Sequence, residues 1–163
     1  MSQLTFEKLV ALFDEGKANY RVLAHAAART SEEVARIRGT QMSQGAKAMV
    51  CRVKVSGSQR VYVHVVLPAD QQVDFDKVAA AAGGKRASLA TPEEAQALTD
   101  CEMGAVPPVS FHPDVVLVAD PTLAVRHEEI AFNAGLRDRS IVINTGDYMR
   151  IVAPKMFTII KGD

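Results

Sequence analysis

Residues 46–67, AKAMVCRVKVSGSQRVYVHVVL, contain the two β-rich runs that decide the fold. Residues 46–55 and 60–67 are dominated by valine and other residues that favour strands. Between them, Ser56-Gly57-Ser58-Gln59 has the composition of a tight turn. The stretch therefore predicts a β-hairpin near the centre of the fold.

Further strands and short helices are predicted on both sides of this hairpin. A first helix is indicated by apolar residues at helical spacing; it ends near Gly16, with Thr5 as its cap. Capping signals at Thr30, Asp74 and Thr91 predict three more short helices, and a last helix begins at Thr145. The apolar runs that predict additional strands are Tyr20–Ala24, Val115–Ala119 and Ser140–Ile143.

Strands and helices mix in this order without a regular alternation, which favours an α+β domain with a mixed or antiparallel sheet. At 163 residues and 48% hydrophobic composition, the chain is expected to form one domain over residues 1–163. It shows no apolar run of the roughly 18 residues that would span a bilayer, and no secretory signal. The two cysteines provide no disulfide framework. These features predict a soluble, cytoplasmic protein.

The formal net charge is zero, with 19 basic and 19 acidic residues, but the charges are unevenly distributed. No acidic residue lies between Glu33 and Asp70, whereas basic residues recur there. Two interpretations remain open: a basic surface on a neutral protein, or charges that only solvate the outer faces of strands and helices.

Several familiar sites are absent from the sequence. It contains no phosphate-binding GxxxxGK[ST] loop, no GxGxxG after a strand and no HExxH. The four histidines are scattered, so we expect no metal. Ser110, His112 and Asp114 are close in sequence, but a catalytic triad is assembled by the fold, and these three are interpreted as loop residues around Pro113.

Lys47 is an exception to the apolar pattern of the hairpin. Because side chains alternate along a strand, Lys47 shares a face with Met49, Cys51 and Val53, whereas Arg52 lies on the opposite face. Burying an unpaired ammonium group is costly. The lysine therefore either extends past the strand end into solvent or has a functional role.

Two loops could bind a ligand. In Gly104-Ala105-Val106-Pro107-Pro108, the prolines fix the backbone and remove two amide donors, while the glycine allows a close backbone approach. This rigid segment could present the amides around Gly104 to a ligand oxygen, or it could be an ordinary turn. Residues 133–138, NAGLRD, form a polar turn that is equally ambiguous.

Three stretches together resemble the YbaK/proline-tRNA-synthetase-associated editing domain family, and most closely its YeaK-like branch of free-standing deacylases. They are residues 45–50, GAKAMV, residues 86–108, RASLATPEEAQALTDCEMGAVPP, and residues 132–151, FNAGLRDRSIVINTGDYMRI. Their order and spacing fit the family over roughly residues 5 to 152. The resemblance implies an α+β fold whose mixed sheet is partly barrel-like and flanked by short helices.

The activity that the resemblance implies is hydrolysis of the ester that joins a wrong amino acid to its tRNA. Lys47 matches the active-site lysine of the family. Gly104, Pro107 and Pro108 match its glycine–proline loop, and Gly135 matches its late glycine turn. The resemblance implies that Pro107, Pro108 and Gly135 bind the substrate. Some relatives have a His-Pro pair where this chain has Asn133-Ala134, so no role for a histidine at that place is transferred.

An aminoacyl ester is already activated, so the expected mechanism uses a positioned water, without a metal, a cofactor or a covalent nucleophile. Amides near Gly104 would hold the oxyanion, and Lys47 would supply positive charge to it or to the terminal tRNA phosphate. The YeaK-like resemblance favours serine and threonine as substrates, with alanine as a further candidate. The residues expected to line the amino-acid pocket are Tyr20, His25, Met49 and Asn133.

The acceptor end of tRNA is the expected partner, held mainly through its phosphates. The candidate contacts are Arg36, Arg38, Arg86, Arg137 and Arg139. A synthetase is a possible additional partner; no membrane is expected, and the protein is predicted to be a monomer. Two alternatives remain: a module that binds tRNA or a synthetase without hydrolysis, and a hydrolase of a free small-molecule ester.

Overall fold

A computed structural model describes residues 2–28 and 30–162. Short helices and strands follow one another along these residues. The helices are α1 (Ser2–Glu15), α2 (Ser31–Arg38), α3 (Phe75–Ala81), α4 (Pro92–Thr99), α5 (Thr122–Val125) and α6 (Thr145–Val152). The strands are β1 (Tyr20–Ala24), β2 (Ala46–Ser56), β3 (Gln59–Pro68), β4 (Arg86–Leu89), β5 (Val116–Ala119), β6 (Glu129–Asn133), β7 (Arg139–Asn144) and β8 (Lys155–Met156). A 3₁₀ turn, Met42–Gln44, precedes β2.

The predicted hairpin is the centre of the larger of two sheets. Its strands β2 and β3 pair antiparallel, with Lys47 opposite Leu67, and the sheet order is β4-β2-β3-β5-β8. The β3–β5 and β5–β8 pairs are parallel, so the sheet is mixed. The second sheet has the order β1-β7-β6 and is antiparallel. The α+β class with a mixed sheet is therefore confirmed.

The two sheets meet next to the start of β2. An isolated parallel bridge joins Gly45 to Ala131 of β6, and the Gly45 carbonyl accepts a hydrogen bond from the Ala69 amide at 2.8 Å. A Cβ on Gly45 would come within 2.8 Å of the Ala69 Cβ, so this approach requires glycine. The sheet that was expected to be partly barrel-like is therefore divided into two open sheets, which are linked at one corner.

Most of the capping predictions are confirmed. The Thr30 hydroxyl accepts a hydrogen bond from the Glu33 amide, and Thr91 and Glu94 form a reciprocal capping box at the start of α4. The Asp74 carboxylate accepts from two amides of α3. The prediction for Thr5 is wrong, because α1 already includes it. Thr5 is buried and its hydroxyl contacts the Cys101 thiol, a tertiary partner that a capping pattern does not show.

The main core lies between the β1-β7-β6 sheet and helices α1 and α6. Its largest buried side chains include Phe13, Phe132 and Tyr148. The ring of Phe13 lies 5.8 Å from that of Tyr20 and 6.3 Å from that of Phe132. A second cluster packs α3 against the other sheet around Cys51. In the described part of the chain, no helix is both long and apolar enough to cross a bilayer.

Candidate active site

A cavity of about 300 Å³ opens where the two sheets meet. Helix α2, the first residues of β2, the end of β6 and the loop at Gly104 form its walls. Most of the lining is apolar, and its charged members are Lys47 and Arg38. None of the described lining residues is acidic, so the cavity favours an anionic or electron-rich group.

Lys47, the second residue of β2, lines this cavity and is half-buried. Its Nζ donates a hydrogen bond to the Gln71 carbonyl at 2.8 Å. Burial lowers the pKa of Lys47, and the nearby Asp70 carboxylate acts in the opposite direction. An ammonium group has three N–H donors, so Gln71 leaves two for a ligand. The Gln71 carbonyl thus holds the Lys47 side chain against the protein at the start of β2.

Gly104 faces Lys47's cavity with its backbone in the left-handed region, at φ 92°. A Cβ there would come within 3.0 Å of an Arg137 guanidinium nitrogen. The Gly104 carbonyl accepts a hydrogen bond from Asn133 Nδ2 at 2.7 Å. Among the described residues, none accepts a hydrogen bond from the Gly104 amide. Within residues 2–28 and 30–162, this N–H therefore has no acceptor, and Gly104 itself lines the cavity.

Pro107 and Pro108 are buried behind this loop and do not line the cavity. The Pro107 carbonyl accepts a hydrogen bond from His64 Nε2 at 2.8 Å, and the Pro108 carbonyl accepts one from the Tyr148 hydroxyl at 2.5 Å. His64 is fully buried, and burial lowers its pKa to about 4. The prolines therefore anchor the loop from behind. The sequence predicted that they contact the substrate, but they lie outside the cavity lining.

A polar network supports the opposite wall of the cavity. Arg38 donates from Nε to Ser140 Oγ at 2.8 Å and from a terminal nitrogen to Asn133 Oδ1 at 2.9 Å. His25 Nε2 lies 2.7 Å from the same Ser140 Oγ. Because Asn133 also bonds Gly104, the network connects α2, β6, β7 and the glycine loop. Burial lowers the pKa of Arg38 to about 10, so it stays charged at neutral pH.

The late glycine turn is joined to the same loop. Gly135 has φ 85° and its amide donates to the Ala105 carbonyl at 3.0 Å. Arg137 donates to the Met103 carbonyl at 3.2 Å and lies 3.7 Å from the Glu102 carboxylate. The turn therefore braces the Gly104 segment from outside the cavity.

The predicted site residues thus form three groups. Lys47, Met49, Gly104, Asn133 and Arg38 line the cavity together. The others lie outside its lining: His25, Pro107, Pro108, Gly135 and Arg137 support it, whereas Tyr20, Arg36, Arg86 and Arg139 are elsewhere.

The residues in this last set have partners of their own. The Tyr20 hydroxyl donates to Asp14 at 2.6 Å, and burial together with this carboxylate raises the Tyr20 pKa to about 12. Arg36 faces solvent on α2, 3.8 Å from Glu32. Arg139 bonds the backbone and carboxylate of Asp138, and Arg86 lies on β4 beside Lys54.

Sequence reasoning missed the apolar lining and one polar partner. Val34 and Ala35 of α2, Met42 and Phe132 line the cavity. The apolar face of α2 was a usable signal for Val34, since a short helix needs a surface to cover. Nothing in the sequence indicates that the Gln71 carbonyl accepts from Lys47. In the described residues, no group of three histidine, cysteine or acidic side chains could hold a metal ion.

Comparisons with known proteins agree with this arrangement. The family model of the aminoacyl-tRNA editing domain matches residues 25–151. The Multifunctional Ser/Thr-tRNA deacylase ProXp-y of Escherichia coli (strain K12) is 49% identical over 153 residues, covering 94% of this chain and 91% of that protein. A proline–tRNA ligase of Bacillus cytotoxicus is 30% identical over 111 residues, which are 68% of this chain and 19% of the ligase.

Solved structures share the fold. A hypothetical protein solved by crystallography has a TM-score of 0.83 at 22% identity, over 94% of this chain and 99% of that one. A candidate trans-editing enzyme for prolyl-tRNA synthetase has a TM-score of 0.79 at 20% identity, over 97% of this chain and 98% of that one. The family model matches residues 25–151, which include Lys47 and the rest of the cavity lining. This chain is therefore a member of the aminoacyl-tRNA editing domain family.

Proposed function

We propose that this chain is a trans-editing hydrolase that deacylates tRNA mischarged with a small amino acid, with serine and threonine favoured and alanine a further candidate. The observation that carries the proposal is that one small cavity is lined both by the half-buried Lys47 and by Gly104, whose amide has no acceptor among the described residues. Support comes from the 49% identity to a Ser/Thr-tRNA deacylase over nearly the whole chain. The residue roles described next are part of this proposal.

In the proposed reaction, a water molecule adds to the ester carbonyl carbon. The Gly104 amide donates to the oxyanion that develops, and the Lys47 ammonium adds positive charge nearby. The bond between the carbonyl carbon and the ribose oxygen then breaks. A proton from the water ends on that ribose oxygen, and the products are the free amino acid and tRNA. Water is positioned by backbone groups or by the neighbouring ribose hydroxyl.

Selectivity follows from size and polarity. A cavity of about 300 Å³ is at the small end of ligand pockets, so a bulky aminoacyl group is excluded. Ser31 and Asn133 are neutral polar side chains in an otherwise largely apolar lining. A substrate hydroxyl that pairs with such groups is recognised more strongly than a single methyl group, which is worth roughly 1–3 kcal/mol.

The proposal also covers the substrate, the partners, the oligomeric state and the cellular location. The acceptor end of an aminoacyl-tRNA is the substrate. The resemblance to part of a proline–tRNA ligase supports a synthetase as an additional partner. We also propose that residues 1–163 act as one domain, as a monomer, in the cytoplasm.

The first test measures hydrolysis of tRNAs charged separately with Ser, Thr, Ala, Cys and Pro by the wild type, Lys47→Ala and Lys47→Arg. We expect rapid loss of seryl- and threonyl-tRNA, and about a 10²-fold lower kcat for Lys47→Ala, because a charge aimed at the oxyanion is lost. Lys47→Arg should recover part of the rate. Lys8→Ala is the control, since Lys8 is an exposed lysine on α1 that lies over the Phe111 ring.

Melting temperatures of all variants are compared so that a folding defect is not taken for a catalytic one. A folded Lys47→Ala variant with full turnover would overturn the role given to the lysine. If the wild type binds charged tRNA but hydrolyses none of the five esters, the chain is a non-catalytic binding module.

A further inference from the structure

The turn end of the β2–β3 hairpin has a cluster of four basic side chains, here called the hairpin-end patch: Arg52, Lys54, Arg60 and Arg86. Lys54 of β2 lies directly opposite Arg60 of β3 on one side and Arg86 of β4 on the other. Three cations therefore stand in a row across three neighbouring strands. All three are exposed.

This row carries an electrostatic cost that the fold does not offset. Like charges directly opposite each other on neighbouring strands destabilise a sheet. Arg52 has an acidic partner, Glu94 at 3.6 Å. For Lys54, Arg60 and Arg86, no carboxylate of the described residues lies within 4.0 Å. A polyanion would supply the missing negative charge.

The hairpin-end patch and the cavity lie at opposite ends of β2. Lys47 projects from one face of β2, whereas Arg52 and Lys54 project from the other. Helix α4 packs on that other face between the cavity and the patch, at Val50. Lys47 and Lys54 are separated by seven residues, or about 24 Å along an extended strand. In a charged tRNA, the ester is at the end of a short unpaired segment, so the first paired phosphates lie several nucleotides from it.

We propose that the hairpin-end patch binds the backbone phosphates of the acceptor stem while the aminoacyl end occupies the cavity. The inference rests on the proposed function. It accounts for the absence of acidic residues between Glu33 and Asp70, since that stretch contributes Arg52, Lys54 and Arg60. Phosphate contacts of this kind add affinity and orientation without reading sequence. The patch thus governs substrate capture, and the cavity governs the chemistry.

The test compares two substrates: full-length seryl- or threonyl-tRNA, and the 3′-terminal CCA trinucleotide carrying the same amino acid. The variants are Lys54→Gln, Arg60→Gln and the double variant. At about 0.1 M salt we expect each change to raise KM for full-length tRNA roughly three- to tenfold and to leave kcat unchanged. The dependence of log KM on log salt should become shallower by about one per charge removed. Hydrolysis of the trinucleotide ester should be unaffected.

Lys17→Gln is the matched control, because Lys17 is an exposed lysine just after α1 and outside the patch. Equal KM values for the double variant and the wild type on full-length tRNA would overturn the patch while the proposed function stands. An effect that appears only when a prolyl-tRNA synthetase is added would also overturn it, in favour of a protein-docking surface. Failure of the wild type to hydrolyse either ester would instead refute the proposed function.

Discussion

Arg38 shows how one partly buried side chain can organise several parts of a site. Its two hydrogen bonds, to Ser140 and Asn133, set the orientation of the Asn133 amide that holds the Gly104 carbonyl. This geometry depends on the planar guanidinium fork, which lysine lacks. Arg38 is therefore interpreted as a positioning residue for the glycine loop, whereas the sequence predicted a phosphate contact.

We expect Arg38→Lys to lower kcat about tenfold and to leave KM for charged tRNA nearly unchanged, because a misplaced loop impairs the reaction more than capture. Steady-state deacylation kinetics measure both constants. Arg36→Lys is a suitable control on the exposed side of the same helix. A raised KM with an unchanged kcat would instead support the predicted phosphate contact.

Lys47 and Arg38 show how much of the role of a single residue can be predicted from the sequence. Lys47 was predictable because a charge on an apolar strand face breaks the alternation of the pattern. Arg38 ends a helix that is otherwise rich in charge, so its burial has no sequence signal. Its partners are 95 and 102 residues away along the chain. Contacts over such separations are determined by the fold.

Among the elements, the loop from Gly104 to Pro108 is rigid because buried side chains hold both of its prolines. His64 can donate to the Pro107 carbonyl only while its Nε2 carries the hydrogen, and the fully buried ring is stable only when neutral. Its pKa of about 4 is below the ordinary value of 6.5. Between these two values the unfolded chain binds more protons than the folded one, so stability falls as the pH is lowered.

We therefore expect the free energy of unfolding to decrease by up to about 3 kcal/mol between pH 6.5 and pH 4 through His64. Urea unfolding at several pH values measures this slope. A His64→Gln variant keeps a neutral donor and should show a flatter profile in that range, and His112→Gln at a partly exposed position is the control. Equal slopes for His64→Gln and the wild type would contradict the assignment.

Elements with local signals were predicted well, and elements stabilised by distant partners were not. The strand Tyr20–Ala24, the hairpin and the capped helices α2, α3 and α4 have their turn and cap residues beside them in the sequence. In contrast, β8 has two residues and forms only because it runs parallel to β5. Strand β4 is equally dependent on β2.

At the scale of the whole molecule, Phe13 is the residue that best tests how the parts are held together. It is fully buried on α1 and packs between the rings of Tyr20 and Phe132, on two different strands, at tilted angles of 54° and 58°. We expect Phe13→Ala to lower the free energy of unfolding by about 3–5 kcal/mol, because a large cavity opens in the core. Denaturant unfolding measures the change.

Leu4→Ala is the control for Phe13→Ala, since Leu4 is exposed on the same helix, and we expect it to cost far less. Similar losses for the two variants would contradict the view that α1 is held to the sheet by its buried aromatic residue.

The overall arrangement also limits what composition can reveal. A net charge of zero conceals a cavity lined by two cations and a basic row on the hairpin. The α+β class followed from the order of elements, but the division into two sheets did not. It depends on the parallel pairing of β3 with β5, whose paired residues are about fifty positions apart, and on one bridge at Gly45.

Cys51 and Cys101 are both fully buried, and Cys101 packs against Ala105 and Val106 beneath the glycine loop. Burial raises the pKa of the Cys51 thiol to about 12 and also raises that of Cys101. Oxidants and alkylating agents attack the thiolate, which is scarce here and inaccessible to solvent. The Cys101 thiol beneath the loop from Gly104 to Pro108 is therefore a poor target for oxidants, and the packing under that loop does not depend on a reductant.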